Sequence, residues 1–207
     1  MNPRHFWPEE DASLARPDVD RPRRAGVPEV ILSNRKPGDT VLGIVRNFME
    51  HAGRTLLSRV PPRLEQRLRE EWTRDDVTLE WYSHARAMVI RRADFAVHPN
   101  GGRVGVITAG TADIPIAEEA VMLLKEMGCE VHTAYDVGVA GLHRLFEPLQ
   151  HLIREVDVDV LIVAAGMDGA LPSVVSGLVD VPVIGLPTSV GYGFGGRGHS
   201  ALLSMLQ

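Results

Sequence analysis

The fold is decided by residues 103–138, which read RVGVITAGTADIPIAEEAVMLLKEMGCEVHTAYDVG. Residues 103–109 are small and β-branched apolar residues for the most part, a pattern typical of a strand buried on both faces. A loop and a helical pattern from about Pro115 to Met127 follow, and Gly128 stands where helices commonly end. A second strand is predicted at Glu130–Tyr135. Strand, helix and strand in this order predict a right-handed parallel unit of an α/β fold.

The same alternation continues through the second half of the chain. The further predicted elements, in chain order, are a helix at 142–155, a strand at 158–165, a helix at 172–179, a strand at 181–186 and a helix at 198–206. Pro148 falls inside the first of these helices and is expected to kink or divide it. We therefore expect residues 100–207 to form an α/β, flavodoxin-like core of three layers, with a parallel sheet covered by helices on both sides.

The first half has a different composition. Residues 1–100 carry 17 basic and 15 acidic residues with four glycines, whereas residues 101–207 carry 5 basic and 12 acidic residues with 16 glycines. We expect residues 1–38, which mix prolines and charges without a period, to be extended or disordered. Residues 39–99 are predicted to form a small α/β domain that ends at the Pro-Asn-Gly-Gly turn of residues 99–102.

Inside this small domain, helical spacing predicts a helix that begins with Asp39 as its N-cap and runs to about Met49. The remaining predicted elements are a strand at 54–60, a helix from Pro61 to Trp72, and strands near 78–82 and 87–91. The excess of arginine in this half fits a solvated surface better than a site for a polyanion.

Composition excludes several classes of protein. A net charge of −5 argues against nucleic acid as the main partner. The longest purely apolar run is 160–165, far short of the roughly 20 residues of a membrane-spanning helix, and the first residues lack the apolar stretch of a signal peptide. We therefore expect a cytoplasmic protein that binds no membrane. The single cysteine, Cys129, excludes a disulfide framework and is interpreted as an inert, buried thiol.

Each predicted strand of the second half is followed by a loop that contains glycine. The four loops are GTADI at 110–114, DVGVAG at 136–141, GMDGAL at 166–171 and PTSVGYGFGGRG at 187–198. Right-handed crossovers place all four at the carboxyl edge of the sheet, where such folds bind ligands. Backbone amides and helix N-termini attract anions there. Thr111 and Asp113 suit a ribose phosphate, the hydroxyl toward the phosphate and the carboxylate toward the sugar, and Asp113 is expected to face one pocket with Asp168.

Some of these residues have a second interpretation. Asp113 and Asp136 stand where a helix N-cap is expected, so each could serve only to begin a helix. His143 and His199 lie near the loops as candidate proton carriers, but no two histidines have the spacing typical of a metal site. Neither GxGxxG nor a P-loop follows a strand, which argues against the Rossmann and P-loop modes of nucleotide binding.

Four long strings of the second half are distinctive: GVITAGTADIPIAEEA at 105–120, YDVGVAGLHRL at 135–145, AAGMDGALPSVVSGLVDVPVIGLPTSVGYGFGG at 164–196 and ALLSMLQ at 201–207. They resemble the nickel-pincer cofactor biosynthesis protein LarB, whose family is related to the PurE-type aminoimidazole ribonucleotide carboxylases. The similarity is dense over residues 103–207 and thinner over residues 26–37 and the small α/β domain. It implies a PurE-like core and a homo-oligomer, with an octamer expected from the related purine carboxylases.

The resemblance also implies a reaction. LarB-type enzymes carboxylate the pyridinium ring of nicotinic acid adenine dinucleotide at C5, with CO2 or bicarbonate as co-substrate, and hydrolyse the phosphoanhydride to release AMP. A pyridinium carbon is electron-poor, so a nucleophile must add to the ring before the ring attacks CO2; in this family a cysteine thiolate does so. Cleavage of the anhydride requires neutralised phosphate charge, for which we expect Mg2+ held on carboxylates.

The resemblance assigns roles to single residues. Asp136 and Asp168 are expected to transfer protons or to hold the metal, and Asp168 stands where the family more often has Glu in its GMEGALPSV motif. The implied substrate-binding residues are Gly110, Thr111, Asp113, Gly166, Met167, Ser189, Gly191 and Tyr192. The nucleophilic cysteine of the family follows the ALLSMLQ helix and does not occur in these 207 residues. We expect a truncated form or a natural variant that binds without completing carboxylation, and favour truncation because a sheet without its terminal strand leaves an unpaired edge.

Two further functions stay open. The first is an aminoimidazole ribonucleotide carboxylase or mutase of purine biosynthesis, although Met167 and Asp168 stand where that branch is expected to have a histidine. The second is a non-catalytic module that binds nucleotides or forms oligomers. A cysteine codon soon after residue 207 would favour the enzyme, and a stop codon would favour the module.

Overall fold

The computed structural model describes residues 17–193 and 195–207, which form two four-stranded sheets flanked by helices. In chain order the elements are α1 (Arg21–Ala25), β1 (Val30–Leu32), α2 (Gly38–His51), β2 (Arg54–Ser58), α3 (Pro62–Trp72), β3 (Val77–Tyr82), β4 (Ala87–Arg92), β5 (Arg103–Thr108), α4 (Ile114–Glu126), β6 (Glu130–Ala134), α5 (His143–Arg154), β7 (Val160–Ala165), α6 (Ala170–Ser176), β8 (Val183–Pro187) and α7 (His199–Met205). Sheet A comprises β1 to β4 and sheet B comprises β5 to β8. None of the helices among these residues is long and apolar enough to cross a membrane.

Sheet B confirms the predicted α/β, flavodoxin-like core. Its strand order is β6-β5-β7-β8, and every neighbouring pair is parallel. Apolar side chains of α4 pack on one face, and those of α5 and α6 pack on the other. Helix α5 continues through Pro148, so the expected division there is wrong. The buried Leu145, Leu149 and Leu152 anchor this helix to the sheet on both sides of the proline, which offsets the lost backbone hydrogen bond.

Sheet A has the order β1-β2-β4-β3, in which only β1 and β2 are parallel. One face is covered by α2 and α3 through buried apolar residues such as Val41, Val45 and Leu68. The expected extended segment is wrong for residues 17–38, because this part contains α1 and β1; residues 1–16 lie outside the described residues. The strand β1 has three residues and is too short to show an alternating pattern in the sequence. It is stabilised by its backbone pairing with β2.

Helix α2 begins differently from the prediction. Its N-cap position is Pro37, and Asp39 lies in the first turn, where its carboxylate accepts a hydrogen bond of 2.6 Å from Arg67 of α3. This hydrogen bond and the charge of Arg67 lower the pKa of Asp39. The carboxylate therefore joins two helices and leaves the amides of its own helix without a side-chain cap.

Helix α4 lies between the two sheets. Ala117 and Val121 pack toward sheet B, whereas Met122 packs with Leu56 and Val89 on the face of sheet A that α2 and α3 leave open. The second domain therefore supplies the missing cover for sheet A. Burying both faces of one helix joins the domains through a shared apolar layer.

A buried carboxylate at the end of α4 receives two arginines from sheet A. The side chain of Glu126 is 1% exposed; its carboxylate accepts hydrogen bonds of 3.0 Å from Arg54 and 2.8 Å from Arg91. Arg91 also pairs with Glu80, which accepts a hydrogen bond of 2.7 Å from the hydroxyl of Tyr82. Burial and the neighbouring Glu80 raise the pKa of Tyr82 far above its usual range, so its hydroxyl keeps its proton. Together these groups form a charged clamp between the domains.

We expect Glu126→Gln to lower the free energy of unfolding by about 3 kcal/mol, because it leaves two poorly hydrated arginines facing a neutral amide. The measurement is urea unfolding followed by circular dichroism. Glu119→Gln is the matched control, since Glu119 pairs at 3.3 Å with Arg59, whose side chain is half exposed; this change is expected to cost less than about 1 kcal/mol. Equal losses in the two variants would contradict the clamp.

Candidate functional site

The carboxyl ends of the parallel strands of sheet B enclose a pocket. The chain leaves β5, β6 and β7 through residues 109–113, 135–142 and 166–169, and residues from all three connections line a cavity of about 320 Å3. Val190, from the connection that follows β8, completes the wall. Parallel strands end at one edge, so four segments distant in sequence meet there.

Seven of the residues expected at the site line this pocket: Gly110, Thr111, Asp113, Asp136, Gly166, Met167 and Asp168. They come from three of the four loops identified in the sequence. Three carboxylates thus border one cavity, and each of them has a different environment.

Asp113 is almost fully buried, with 3% of its surface exposed. Its Oδ1 accepts a hydrogen bond of 2.6 Å from the hydroxyl of Thr188, and its Oδ2 accepts one of 2.9 Å from the amide of Gly110. Although Asp113 immediately precedes α4, its carboxylate makes no capping hydrogen bond to that helix. The hydrogen bond from Gly110 closes the short 3-10 turn at Thr111–Asp113 that leads into α4, as a capping contact does. The hydrogen bond from Thr188 adds a second contact, which holds the carboxylate in the pocket wall.

Asp136 pairs with Arg144, which is not among the residues expected at the site. The guanidinium of Arg144, near the start of α5, donates a hydrogen bond of 2.8 Å to Asp136 Oδ2. Both side chains are partly exposed and both line the pocket. Asp136 precedes α5 by seven positions and is not its N-cap. Arg144 is one of only five basic residues in the second half, and its position just after a glycine-rich loop is the signal that could have identified it.

Asp168 is the most accessible of the three carboxylates. It is exposed and makes no hydrogen bond or ion pair with the described residues. The preceding Met167 is also exposed, and its backbone φ of 51° lies in the left-handed region, as does that of Asp136 at 60°. Such conformations cost energy in residues with a side chain and are often found at functional sites. The amide of Met167 donates to the carbonyl of Val190 at 2.7 Å, which holds the strained turn.

The other three expected residues do not line the pocket. Tyr192 is 84% exposed, and Ser189 borders a different cleft, of about 560 Å3, between α4, β8 and the edge of sheet A. Gly191 lies beside the pocket, where an added Cβ would come within 3.3 Å of the backbone of Met167. Asp113 and Asp168 thus meet as expected, whereas Tyr192 does not join them.

Cys129 is far from this pocket. It precedes β6, at the amino edge of sheet B, where its sulfur lies 3.3 Å from the side-chain amide of Asn100. His143 and His199 do not line the pocket either. Across residues 17–193 and 195–207, no group of three or more His, Cys, Asp and Glu residues is arranged to hold a metal ion.

Comparison with known proteins agrees with this architecture. The profile of the AIR carboxylase family matches residues 103–207, the part that contains sheet B and the pocket. A second profile, the LarB/PurE-like N-terminal domain, matches residues 9–92. The chain belongs to the AIR carboxylase family. It is also 43% identical over 178 residues to an uncharacterised protein of Methanocaldococcus jannaschii, over 85% of this chain and 68% of that protein.

Relatives with an assigned activity match half of this chain or less. An N5-carboxyaminoimidazole ribonucleotide mutase of the same archaeon is 37% identical over 49% of this chain and 60% of its own length. The mutase of Thermotoga maritima is 32% identical over 41% of this chain and 49% of its own length. These two matches therefore cover a smaller share of the chain than the match to the uncharacterised archaeal protein.

We expect Gly166→Ala to destabilise the pocket, because the new Cβ would lie 2.2 Å from the carbonyl oxygen of Val190. Overpacking against backbone typically costs about 2 kcal/mol. The matched control is Gly110→Ala, whose Cβ would lie 3.6 Å from Asp113 Oδ2, an ordinary contact. Thermal unfolding of both variants measures the difference, and identical melting temperatures would show that the third and fourth connections are not in close contact.

Proposed function

We propose that this protein is a LarB-type enzyme of nickel-pincer cofactor biosynthesis. In the proposed reaction it carboxylates the pyridinium ring of nicotinic acid adenine dinucleotide and hydrolyses the phosphoanhydride, so that dinucleotide, CO2 and water yield AMP and a pyridinium mononucleotide with two carboxylates. The observation that carries the proposal is the pocket itself, where one arginine and three carboxylates meet at the carboxyl edge of sheet B. The match to the LarB/PurE-like N-terminal domain supports this branch of the family.

Arg144 is suited to bind phosphate. Its guanidinium has five N–H donors, and Asp136 holds it at the pocket by one hydrogen bond of 2.8 Å. The amides of Thr111 and Ala112 precede the thirteen-residue helix α4, whose N-terminus adds partial positive charge on the same side. The amides of Gly110 and Asp113 donate within the turn itself. If a phosphate bound between Arg144 and the amides of Thr111 and Ala112, the attached ribose and pyridinium ring would lie in the remaining part of the pocket.

Asp168 is suited to proton transfer. After a nucleophile has added to the ring and C5 has bonded to CO2, the ring regains its aromaticity when the C5 proton is removed and the nucleophile leaves. An exposed carboxylate without a competing partner is able to accept that proton. Asp113 is less suited to this role, since two hydrogen bonds already fix its buried carboxylate. Removal of the proton from C5 is thus assigned to Asp168.

A carboxylate of the pocket also fits a magnesium ion bound together with the substrate. Mg2+ is usually held by one or two carboxylates, with phosphate oxygens and water completing its shell. Asp136 lines the pocket and supplies one such ligand, which leaves Asp168 free for proton transfer. When bound, the ion would neutralise phosphate charge during anhydride hydrolysis. Arg144, which pairs with Asp136, would bind the same phosphate directly.

Addition to the ring requires a nucleophile, and Cys129 is unsuited because it lies at the opposite edge of sheet B. The test therefore uses protein expressed from the complete reading frame, mixed with the dinucleotide, bicarbonate and Mg2+. Chromatography should detect AMP, and mass spectrometry should detect a mononucleotide that has gained one carboxyl group. Absence of both products, with the protein folded, would reject the proposed reaction.

The identity to the mutases favours one alternative, conversion of N5-carboxyaminoimidazole ribonucleotide. The same protein preparation is assayed with that nucleotide. Turnover of it without release of AMP from the dinucleotide would assign the protein to purine biosynthesis. Tight binding of either nucleotide without turnover would indicate a non-catalytic binding module.

We expect Arg144→Gln to weaken binding of nicotinic acid adenine dinucleotide about thirtyfold, because a charge-assisted hydrogen bond to phosphate contributes about 2 kcal/mol. Isothermal titration calorimetry measures the dissociation constant. Arg154→Gln is the matched control, since Arg154 lies at the other end of α5 and outside the pocket; its affinity should equal that of the unmodified protein. An unchanged affinity for Arg144→Gln would remove this residue from the site.

A further inference from the structure

One threonine connects three of the segments that form the pocket. Thr188 follows β8 and is 3% exposed. Its hydroxyl donates the hydrogen bond of 2.6 Å to Asp113, and its amide donates one of 3.0 Å to the carbonyl of Ala165 at the end of β7. The amide of Val190 donates to the same hydroxyl oxygen at 3.4 Å. Thr188 itself does not line the pocket.

The hydrogen bond to Asp113 links residues 75 positions apart in the sequence. It joins the first connection of sheet B to the fourth. The third connection closes on the same point, since an added Cβ on Gly166 would lie 2.8 Å from the threonine hydroxyl. A hydroxyl has one proton to donate, and here that proton goes to a buried carboxylate, the acceptor with which a hydroxyl makes its strongest hydrogen bond.

We propose that Thr188 is a positioning residue for the nucleotide pocket. Its hydroxyl holds the Asp113 carboxylate, and through it the amides of Thr111 and Ala112, at a fixed distance from the third and fourth connections. The inference deepens the proposed function and rests on it for the identity of the ligand. It differs from the role predicted for Asp113 in the sequence, because the carboxylate acts as a support for the phosphate-binding amides.

Removing the hydroxyl has a definite physical consequence. In Thr188→Val the shape is retained, but Asp113 Oδ1 loses its donor while it stays buried. A buried charged acceptor without a partner is costly, and the first connection is expected to move so that water reaches the carboxylate. The amides that face the ligand move with it, so the ligand should bind more weakly in the ground state and the transition state alike.

The test compares Thr188→Val with Thr188→Ser, which keeps the hydroxyl, and with Thr78→Val, the same change at an exposed position of β3. We expect Thr188→Val to raise KM for the dinucleotide about tenfold with kcat changed by less than about twofold. Thr188→Ser should restore KM, and Thr78→Val should leave both constants unchanged. A tenfold fall in kcat at unchanged KM, or no effect in folded Thr188→Val, would overturn the inference.

A double-mutant cycle tests whether Thr188 acts through Asp113. In an Asp113→Ala background, adding Thr188→Val should raise KM by less than about twofold, because the acceptor of the hydrogen bond has already been removed. Independent, multiplicative effects of the two substitutions would show that Thr188 acts in another way and would overturn the inference.

Hydrogen exchange separates this inference from the proposed reaction. Without any ligand, Thr188→Val should speed amide exchange in residues 109–113 and 188–191. Exchange in sheet A should not change, because the lost hydrogen bond joins only these two segments. Unchanged exchange in both segments overturns the role of Thr188 whether or not the dinucleotide is a substrate. Faster exchange in a protein that releases no AMP would retain the positioning role and reject the proposed substrate.

Discussion

Helix α4 must pack against two sheets at once, and the rest of the structure depends on this packing. Val121 contacts the core of sheet B while Met122, the next residue, contacts that of sheet A. Glu126 at the end of this helix is buried, and two arginines of sheet A neutralise its charge. The same helix begins at Asp113, in the wall of the pocket. The clamp between the domains and the wall of the pocket therefore lie at opposite ends of one helix.

The pocket shows how one type of side chain acquires three environments. Asp113 is buried and fixed by hydrogen bonds, Asp136 shares its charge with Arg144, and Asp168 faces solvent. Asp113 is held in place, because moving its buried carboxylate would break both of its hydrogen bonds. The second positions a cation, and the third keeps the freedom that proton transfer requires. The proposed reaction needs each of these properties at a different point around a phosphorylated ring.

Much of the fold could be predicted because short stretches of the sequence carry the signals of its helices and strands. The apolar run at 160–165 and the glycine at 128 predicted a buried strand and a helix end within a residue or two of where they lie. Predictions of single elements and helix caps failed where the local signal was weak or fitted more than one role. The strand at 30–32 is too short for a period, and Asp39 resembles an N-cap but instead binds Arg67 of the next helix. Arg144 has only one weak signal, its position just after a glycine-rich loop.

The sequence by itself determined the alternation of apolar strands with helices, and with it the edge of the sheet where glycine-rich loops gather. This information is local, since periodicity and capping depend on residues a few positions apart. Only the tertiary structure decided which side chains meet at that edge. It joined Thr188 to Asp113, paired Asp136 with Arg144, and left Tyr192 in solvent. Such contacts depend on the paths of whole loops and on packing between distant segments, which no short stretch of sequence contains.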